Sequence, residues 1–255
     1  MPISITAVIV TLNEESNIGR CLDSLSGVVD EVIVLDSFSS DTTAVICQAK
    51  GVKFFQKQWE GYSASKNNAN NLATMDYILS IDADEALSDE LKHSIIEQKK
   101  NPLFQAYSFN RLTNYCGQWI HYCGWYPDKK VRLFKKGDAA WVGEIHEELV
   151  FKATTYVKNL KGDLLHYSFP TIASHIQTLN SFSEIAAKSD FSRKKCPNFL
   201  VHILLNPPFT FLKKYILQKG FLDGYYGFII CTISGFANFI KYSKLNELWK
   251  KQELK

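Results

Sequence analysis

Ile81-Asp82-Ala83-Asp84-Glu85 directly follows an apolar run at 77–81. Two carboxylates one residue apart on an irregular turn can reach a single hard cation, directly or through water. Magnesium and manganese take such oxygen ligands and keep positions open for phosphate oxygens. An ion held there would neutralise the charge developing on a departing diphosphate. The same residues taken alone also read as a solvated acidic loop capping the next helix. Two more polar clusters stand in the same relation to an apolar run: Thr11-Leu12-Asn13-Glu14 and Asp36-Ser37-Phe38-Ser39.

The elements that would position these clusters alternate. Residues 3–10 are apolar and β-branched, as in a strand buried on both faces. Ser16 is the expected cap of a helix whose apolar face is Ile18, Cys21, Leu22 and Leu25. A second strand is expected at 31–35, and Asp41 opens a helix that ends near Gly51. A third strand at 52–55, a helix at 63–73, a fourth strand at 77–81 and a helix from Ser88 to before Pro102 complete the series. That order predicts a parallel sheet with helices on both faces. Ligands of such sheets bind beyond the carboxyl ends of the strands, where all three clusters lie.

From Phe104 to His166 short alternating runs at 105–109, 131–134 and 164–167 predict mixed-sheet strands with long loops. A helix is expected from Thr171, with Ile172, Ile176, Leu179, Phe182 and Ala186 on one face, followed by helices separated at Pro207-Pro208 and at glycines.

The chain has 255 residues, 46% of them hydrophobic and 22% charged, which suits one globular domain with or without a helical appendage. Its net charge of +3 is unevenly spread. From Phe191 onward eleven Lys/Arg face three Asp/Glu, a net +8, and the rest carries −5. The same tail holds thirteen of the 34 aromatic residues. Cations with aromatics point to an anionic membrane surface, met by helices whose apolar stretches are flanked by Lys213, Lys214, Lys241 and Lys244. Nucleic acid is the competing reading of a basic patch, and the apolar content of this one argues against it. No uninterrupted apolar stretch of spanning length occurs, and the start lacks the charged region of a signal peptide. The six cysteines form no small disulfide framework, and a reducing cytoplasm fits them.

VTLNEE at 10–15, LDSFSSDTT at 35–43, SASKNNA at 63–69 and IDADEAL at 81–87 together resemble glycosyltransferase family 2. WYPDKKVRLF at 125–134, WVGEIHEEL at 141–149 and FLDGYYG at 221–227 look like its branch of lipopolysaccharide-core glucosyltransferases. The resemblance implies an α/β GT-A fold: a mostly parallel central sheet flanked by helices, with a C-terminal helical extension. A GT-A domain is expected over 1–190, and a basic, aromatic tail over 191–255. It also implies Mg2+ or Mn2+ as cofactor, with Asp82 and Asp84 as the metal motif. Thr11, Asn13 and Glu14 would line the nucleoside pocket, Asp36 would meet base or ribose, and Lys66 would approach base or diphosphate.

Inverting transfer needs a general base near the acceptor hydroxyl. Where related enzymes carry an acidic pair, this chain has His146-Glu147. Glu147 is the expected base and His146 a metal or diphosphate ligand, with Glu144, Glu148 and Asp128 as rivals. Trp125 and Trp141 suit either a sugar platform or the core. Arg132 suits either phosphate oxygens or a neighbouring acid.

The implied activity is inverting transfer of a sugar, with UDP-glucose the first donor, to a lipopolysaccharide-core or other glycolipid hydroxyl. It would occur in the cytoplasm, peripherally on the inner face of the bacterial plasma membrane. Two other readings stay open. One is a module that binds sugar nucleotide or membrane without transfer. The other is a sugar-phosphate nucleotidyltransferase, which would want a glycine-rich phosphate loop that VTLNEES lacks. A dinucleotide-dependent dehydrogenase would likewise want the absent GxGxxG.

Overall fold

The computed structural model describes residues 2–143 and 147–253. It divides into two compact units, one of residues 1–112 and 128–167 and one of residues 113–127 and 168–255. The division expected from charge, at 190/191, falls inside the second unit.

The first unit carries β1 (Ile5–Thr11), α1 (Ile18–Leu25), β2 (Glu31–Asp36), α2 (Thr43–Ala49), β3 (Lys53–Gln56) and α3 (Tyr62–Leu72). Then come β4 (Tyr77–Asp82), β5 (Glu85–Leu87), α4 (Asp89–Lys100), β6 (Ala106–Tyr115), whose last three residues belong to the second unit together with β7 (Gln118–Ile120), and β8 (Asp128–Lys135). β9 (Ala139–Val142), β10 (Glu148–Phe151) and β11 (Val157–Phe169) close the series. The sheet order is β3-β2-β1-β4-β8-β6-β11-β5, with β7 beside β6. The strands β3-β2-β1-β4 run parallel, and β8 begins an antiparallel continuation. This is the α/β GT-A architecture, and a C-terminal helical extension follows it.

The local rules hold for most elements. β1 is buried along nearly its whole length, as a doubly covered strand must be. Ile18, Cys21, Leu22 and Leu25 of α1 are all buried, so the 3.6-residue period reports its core face correctly. Ser88 accepts the Leu91 N–H at the start of α4, with acids in the first turn and lysines in the last. Asp41 lies one residue before the cap position of α2, which Thr42 occupies without a side-chain cap, and accepts the Thr43 N–H at 3.0 Å. The expected Ser16 cap is corrected: Asn17 precedes α1, without a side-chain cap, and donates its amide to Glu14 at 2.8 Å.

In the second unit α5 (Ile172–Ser192) is followed by wide π-helical turns at Phe199–Leu205, α6 (Asn206–Leu212) and a second π-helical stretch at Lys213–Leu217. A tight turn at Gly220–Asp223 leads into α7 (Gly224–Glu253). Thr171 and Ser174 cap α5 reciprocally. The expected buried face of α5 is corrected. His175, Leu179, Ser183, Ala187 and Asp190 face inward, while Ile176 and Phe182 are exposed. Pro207 and Pro208 stand where the wide turns at 199–205 give way to α6, in its first turn, as expected of a helix boundary.

The core of this unit is aromatic. Tyr115 packs edge-on against Trp125 and His175, and Phe169 joins them. Trp125 thus packs, half-buried, against this cluster. The His175 ring nitrogen lies 3.0 Å from the Tyr115 hydroxyl, and burial pushes the imidazole down to about 4. Asp223 accepts the backbone N–H groups of His121 (3.1 Å) and Tyr122 (2.8 Å), and Gln118 donates to its carbonyl at 2.8 Å. A Cβ at Gly227 would come within 1.9 Å of the Gly220 carbonyl oxygen, so the FLDGYYG segment is a structural clasp that only glycine permits.

Candidate functional site

The parallel register sets Thr11 beside Asp36 and Val10 beside Asp82, so the three polar clusters share one edge of the sheet. The first two are bound to each other. Asn13, at φ 55°, a left-handed conformation asparagine tolerates, accepts the Ser40 N–H on its side-chain oxygen at 2.8 Å. Its own N–H donates to the Ser39 hydroxyl, and the Glu14 N–H donates to the Thr43 hydroxyl. Asp36 is wholly buried and accepts from the Ser39 N–H (2.9 Å), the Ser39 hydroxyl and the Gln56 amide (3.0 Å). Its carboxylate thus shapes the turn after β2. Thr11 is buried too, with its hydroxyl oxygen unpartnered among the described residues.

Around β4 the site is built from buried charge. Asp82 takes Lys66 of α3 at 2.9 Å and the Arg132 guanidinium of β8 at 2.5 Å. Arg132, only 4% exposed, also reaches Glu85 at 2.8 Å, and Glu85 in turn accepts the Asp82 N–H at 3.0 Å. Burial would raise the Asp82 carboxyl, but the cations Arg132 and Lys66 outweigh it and hold it far below the usual carboxylate range. Burial pulls Arg132 the other way, and Asp82 and Glu85 keep it firmly charged. Arg132 is therefore the partner of two neighbouring acids, with little surface left for phosphate.

Lys66 has a second carboxylate, Glu147, at 2.9 Å, and its ammonium lies 4.8 Å from the centroid of the Trp141 ring. Asn67 fixes that tryptophan by exchanging two hydrogen bonds with its backbone, at 2.8 and 2.9 Å. The rival acids differ. Glu148 is exposed, and Asp128 is held by Arg111 at 2.7 Å and Lys130 at 3.1 Å. Against the upward pull of burial, those two cations hold Asp128 below the usual range. His146 and Glu144 lie outside the described residues.

Asp84 has a partner that sequence reasoning missed. The β11–β5 pairing brings His166 opposite Glu85, and its Nε2 stands 3.1 Å from the Asp84 carboxylate. Glu14 faces the same group. Burial first, then Asp84, Asp41 and Asp82, raise its carboxyl, against a lowering hydrogen bond from Asn17. The 3.1 Å between Asp84 and His166 is the length of a direct His–Asp hydrogen bond, and it is also about the spacing of two neighbouring ligands of an octahedral ion, each about 2.1 Å from the metal. No group of three potential ligands converges among the described residues. Waters and phosphate oxygens would complete such a shell, as is usual for magnesium. The one signal for His166 in the sequence is a polar ring in the otherwise apolar run Leu164-Leu165-His166-Tyr167.

The family model described as Glycosyl transferase family 2 matches residues 6–139. An uncharacterized glycosyltransferase of Rickettsia typhi is 32% identical over 96% of this chain and 87% of its own. The lipopolysaccharide core biosynthesis glycosyltransferase LpsC of Rhizobium meliloti is 26% identical over 94% of this chain and 91% of its own. Among solved structures, S. aureus TarS 1–349 covers 98% of this chain and 92% of its own at 14% identity and a TM-score of 0.46. Glucosyl-3-phosphoglycerate synthase from Mycobacterium tuberculosis, in complex with Mn2+, UDP and glucosyl-3-phosphoglycerate, covers 44% of each chain at 25% identity and a TM-score of 0.35.

Proposed function

The chain belongs to glycosyltransferase family 2, and from that premise we propose that it transfers a sugar with inversion from a nucleoside-diphosphate donor to a cell-envelope glycan. UDP-glucose is the first donor to test, and the acceptor is a hydroxyl of a lipopolysaccharide core or similar glycolipid. The Asp84–His166 pair beside Asp82 and Glu14 carries this reading, because it suits Mg2+ or Mn2+ at the edge where a diphosphate would lie. A bound divalent ion would neutralise the charge gathering on the leaving diphosphate.

The chain's own residues do the rest. Thr11, Asn13 and the Asp36 turn shape the nucleoside end of the site, Asp36 from beneath. Asp82 is held in place by Arg132, Glu85 and Lys66. Glu147 takes the proton of the acceptor hydroxyl as its oxygen attacks the anomeric carbon, and the bond to the nucleoside diphosphate breaks on the opposite side. Lys66 orients Glu147, and the ring of Trp141 packs against Lys66 on the same side. His146, beside Glu147 in sequence, is proposed as a further ligand of metal or diphosphate. A lipid-anchored acceptor calls for work at the inner face of the plasma membrane, with residues 191–255 facing the bilayer.

The test is metal-dependent release of UDP, GDP or ADP from a panel of donors, followed by Asp84→Asn and His166→Gln. Asp84→Asn is expected to abolish release while circular dichroism is unchanged, because a neutral amide holds a hard cation poorly. Full turnover of that variant at saturating manganese would end the metal assignment.

A further inference from the structure

The second unit wears its apolar side outward. Thirteen of the thirty large hydrophobic side chains exposed among the described residues fall within residues 199–228. Leu205, Phe209, Leu212 and Ile216 are spaced by four, three and four, which puts them on one face of a helical run, and they are 55%, 62%, 49% and 54% exposed. The other face of that run is seated. Gly235 of α7 lies against the Pro207 carbonyl, where a Cβ would come within 2.8 Å. Asn238 donates to the Thr210 hydroxyl at 2.7 Å, Phe211 and Tyr215 pack edge-on against Phe228 of α7, and Lys214 donates to the Cys123 carbonyl at 2.9 Å. The run is thus held from within while its solvent side is hydrocarbon, the reverse of an ordinary surface helix.

Charge says what covers such a face. Residues 191–222 contain six Lys/Arg and no Asp or Glu. A second copy of this chain would set these cations against an identical set with no acid in the patch to answer them. An anionic lipid surface answers both the cations and the hydrocarbon. No helix among the described residues is long and apolar enough to cross a membrane, so the segment would lie in the interface. The lysines expected to do the adsorbing are mostly engaged elsewhere. Lys241 pairs with Asp190 at 2.6 Å, Lys244 donates to Asn180 and Ser183, and Lys214 is taken by Cys123.

We propose that the helical run at 199–217 inserts its Leu205-Phe209-Leu212-Ile216 face into the interface of an anionic bilayer, and that apolar burial rather than lysine adsorption holds the protein there. This rests on the membrane-facing part of the proposed function and not on the transfer chemistry.

Vesicle flotation of the full chain tests it, with phosphatidylcholine alone and mixed with phosphatidylglycerol. Binding to the anionic vesicles should persist at about 1 M salt, where the Debye length is about 3 Å and adsorption by surface charge is screened. The triple variant Leu205→Glu, Phe209→Glu, Ile216→Glu should lower the floated fraction at least tenfold. Its thermal melt and its metal-dependent nucleotide release should be unchanged, since all three side chains already face solvent. Absence of flotation, release of the wild type by salt, or normal flotation of the triple variant would overturn the proposal. So would a dimer in sedimentation that the triple variant dissolves, because the face would then be a protein interface. A wild-type chain that floats as expected but releases no nucleotide would count against the transferase reading alone.

Discussion

The edge of the first unit and the outer face of the second solve opposite problems. At the edge, Glu147, Lys66, Asp82, Arg132 and Glu85 alternate in sign through contacts of 2.5–2.9 Å, and Arg132 and Glu85 are almost entirely buried. Charge there is removed from water and answered by charge. On the outer face of the second unit hydrocarbon meets water with nothing to answer it, while the polar groups beneath are tied to the backbone, as Asp223 is to residues 121 and 122. A buried network fixes geometry for chemistry, because each member costs heavily if its partner is lost. An exposed apolar face fixes nothing internally and is intelligible only through what it touches.

The sharpest break of that contrast is Arg132→Met. It leaves Asp82 with Lys66 alone and Glu85 with only Arg111 at 3.6 Å, and removing one partner of a buried pair costs up to about 3–5 kcal/mol. Urea denaturation should show a loss of that order. A loss below about 1 kcal/mol, on the scale of an exposed pair, would mean that water compensates the edge, and the contrast with the second unit would fail.

Next in size is Glu147→Gln, which keeps the shape and removes the proton acceptor. Turnover should fall by about 10² or more while nucleotide binding stays nearly intact. Near-normal turnover here, with Glu144→Gln or Asp128→Asn inactive, would transfer the role of base. Asp128 is the less suited, since Arg111 and Lys130 already claim its carboxylate.

The smallest effect belongs to the second unit. Asp223→Asn offers an amide NH2 where two backbone N–H groups need acceptors, at a cost of about 1.5–3 kcal/mol for hydrogen bonds to a charged group. Metal-dependent nucleotide release measured below the melting transition should be unaltered, because Asp223 supports a clasp and no chemistry. A variant with wild-type stability but impaired release would tie the clasp to the site and blur the distinction between the units.

Strands, helices and the three polar clusters at strand ends were legible in the sequence because each is a local matter. Apolar runs, the 3.6-residue period of α1 and the Ser88 cap depend on residues a few positions apart. The position of Asp36 and of Asp82-Ala83-Asp84 at one sheet edge follows from the alternating order alone. The partners of those residues were not legible. His166 meets Asp84 only through the register of β11 on β5, the two residues lying 82 positions apart in sequence. Arg132 is paired with acids at 82 and 85 that the fold brings beside it. Lys241 and Lys244, which the sequence offers to a membrane, are taken by Asp190, Asn180 and Ser183 of α5. The period along α5 gave the wrong face, and the stripe from Leu205 to Ile216 proved to face outward. Apolar spacing marks a face without saying whether protein, water or lipid lies against it, and that is decided by whichever distant segments pack there.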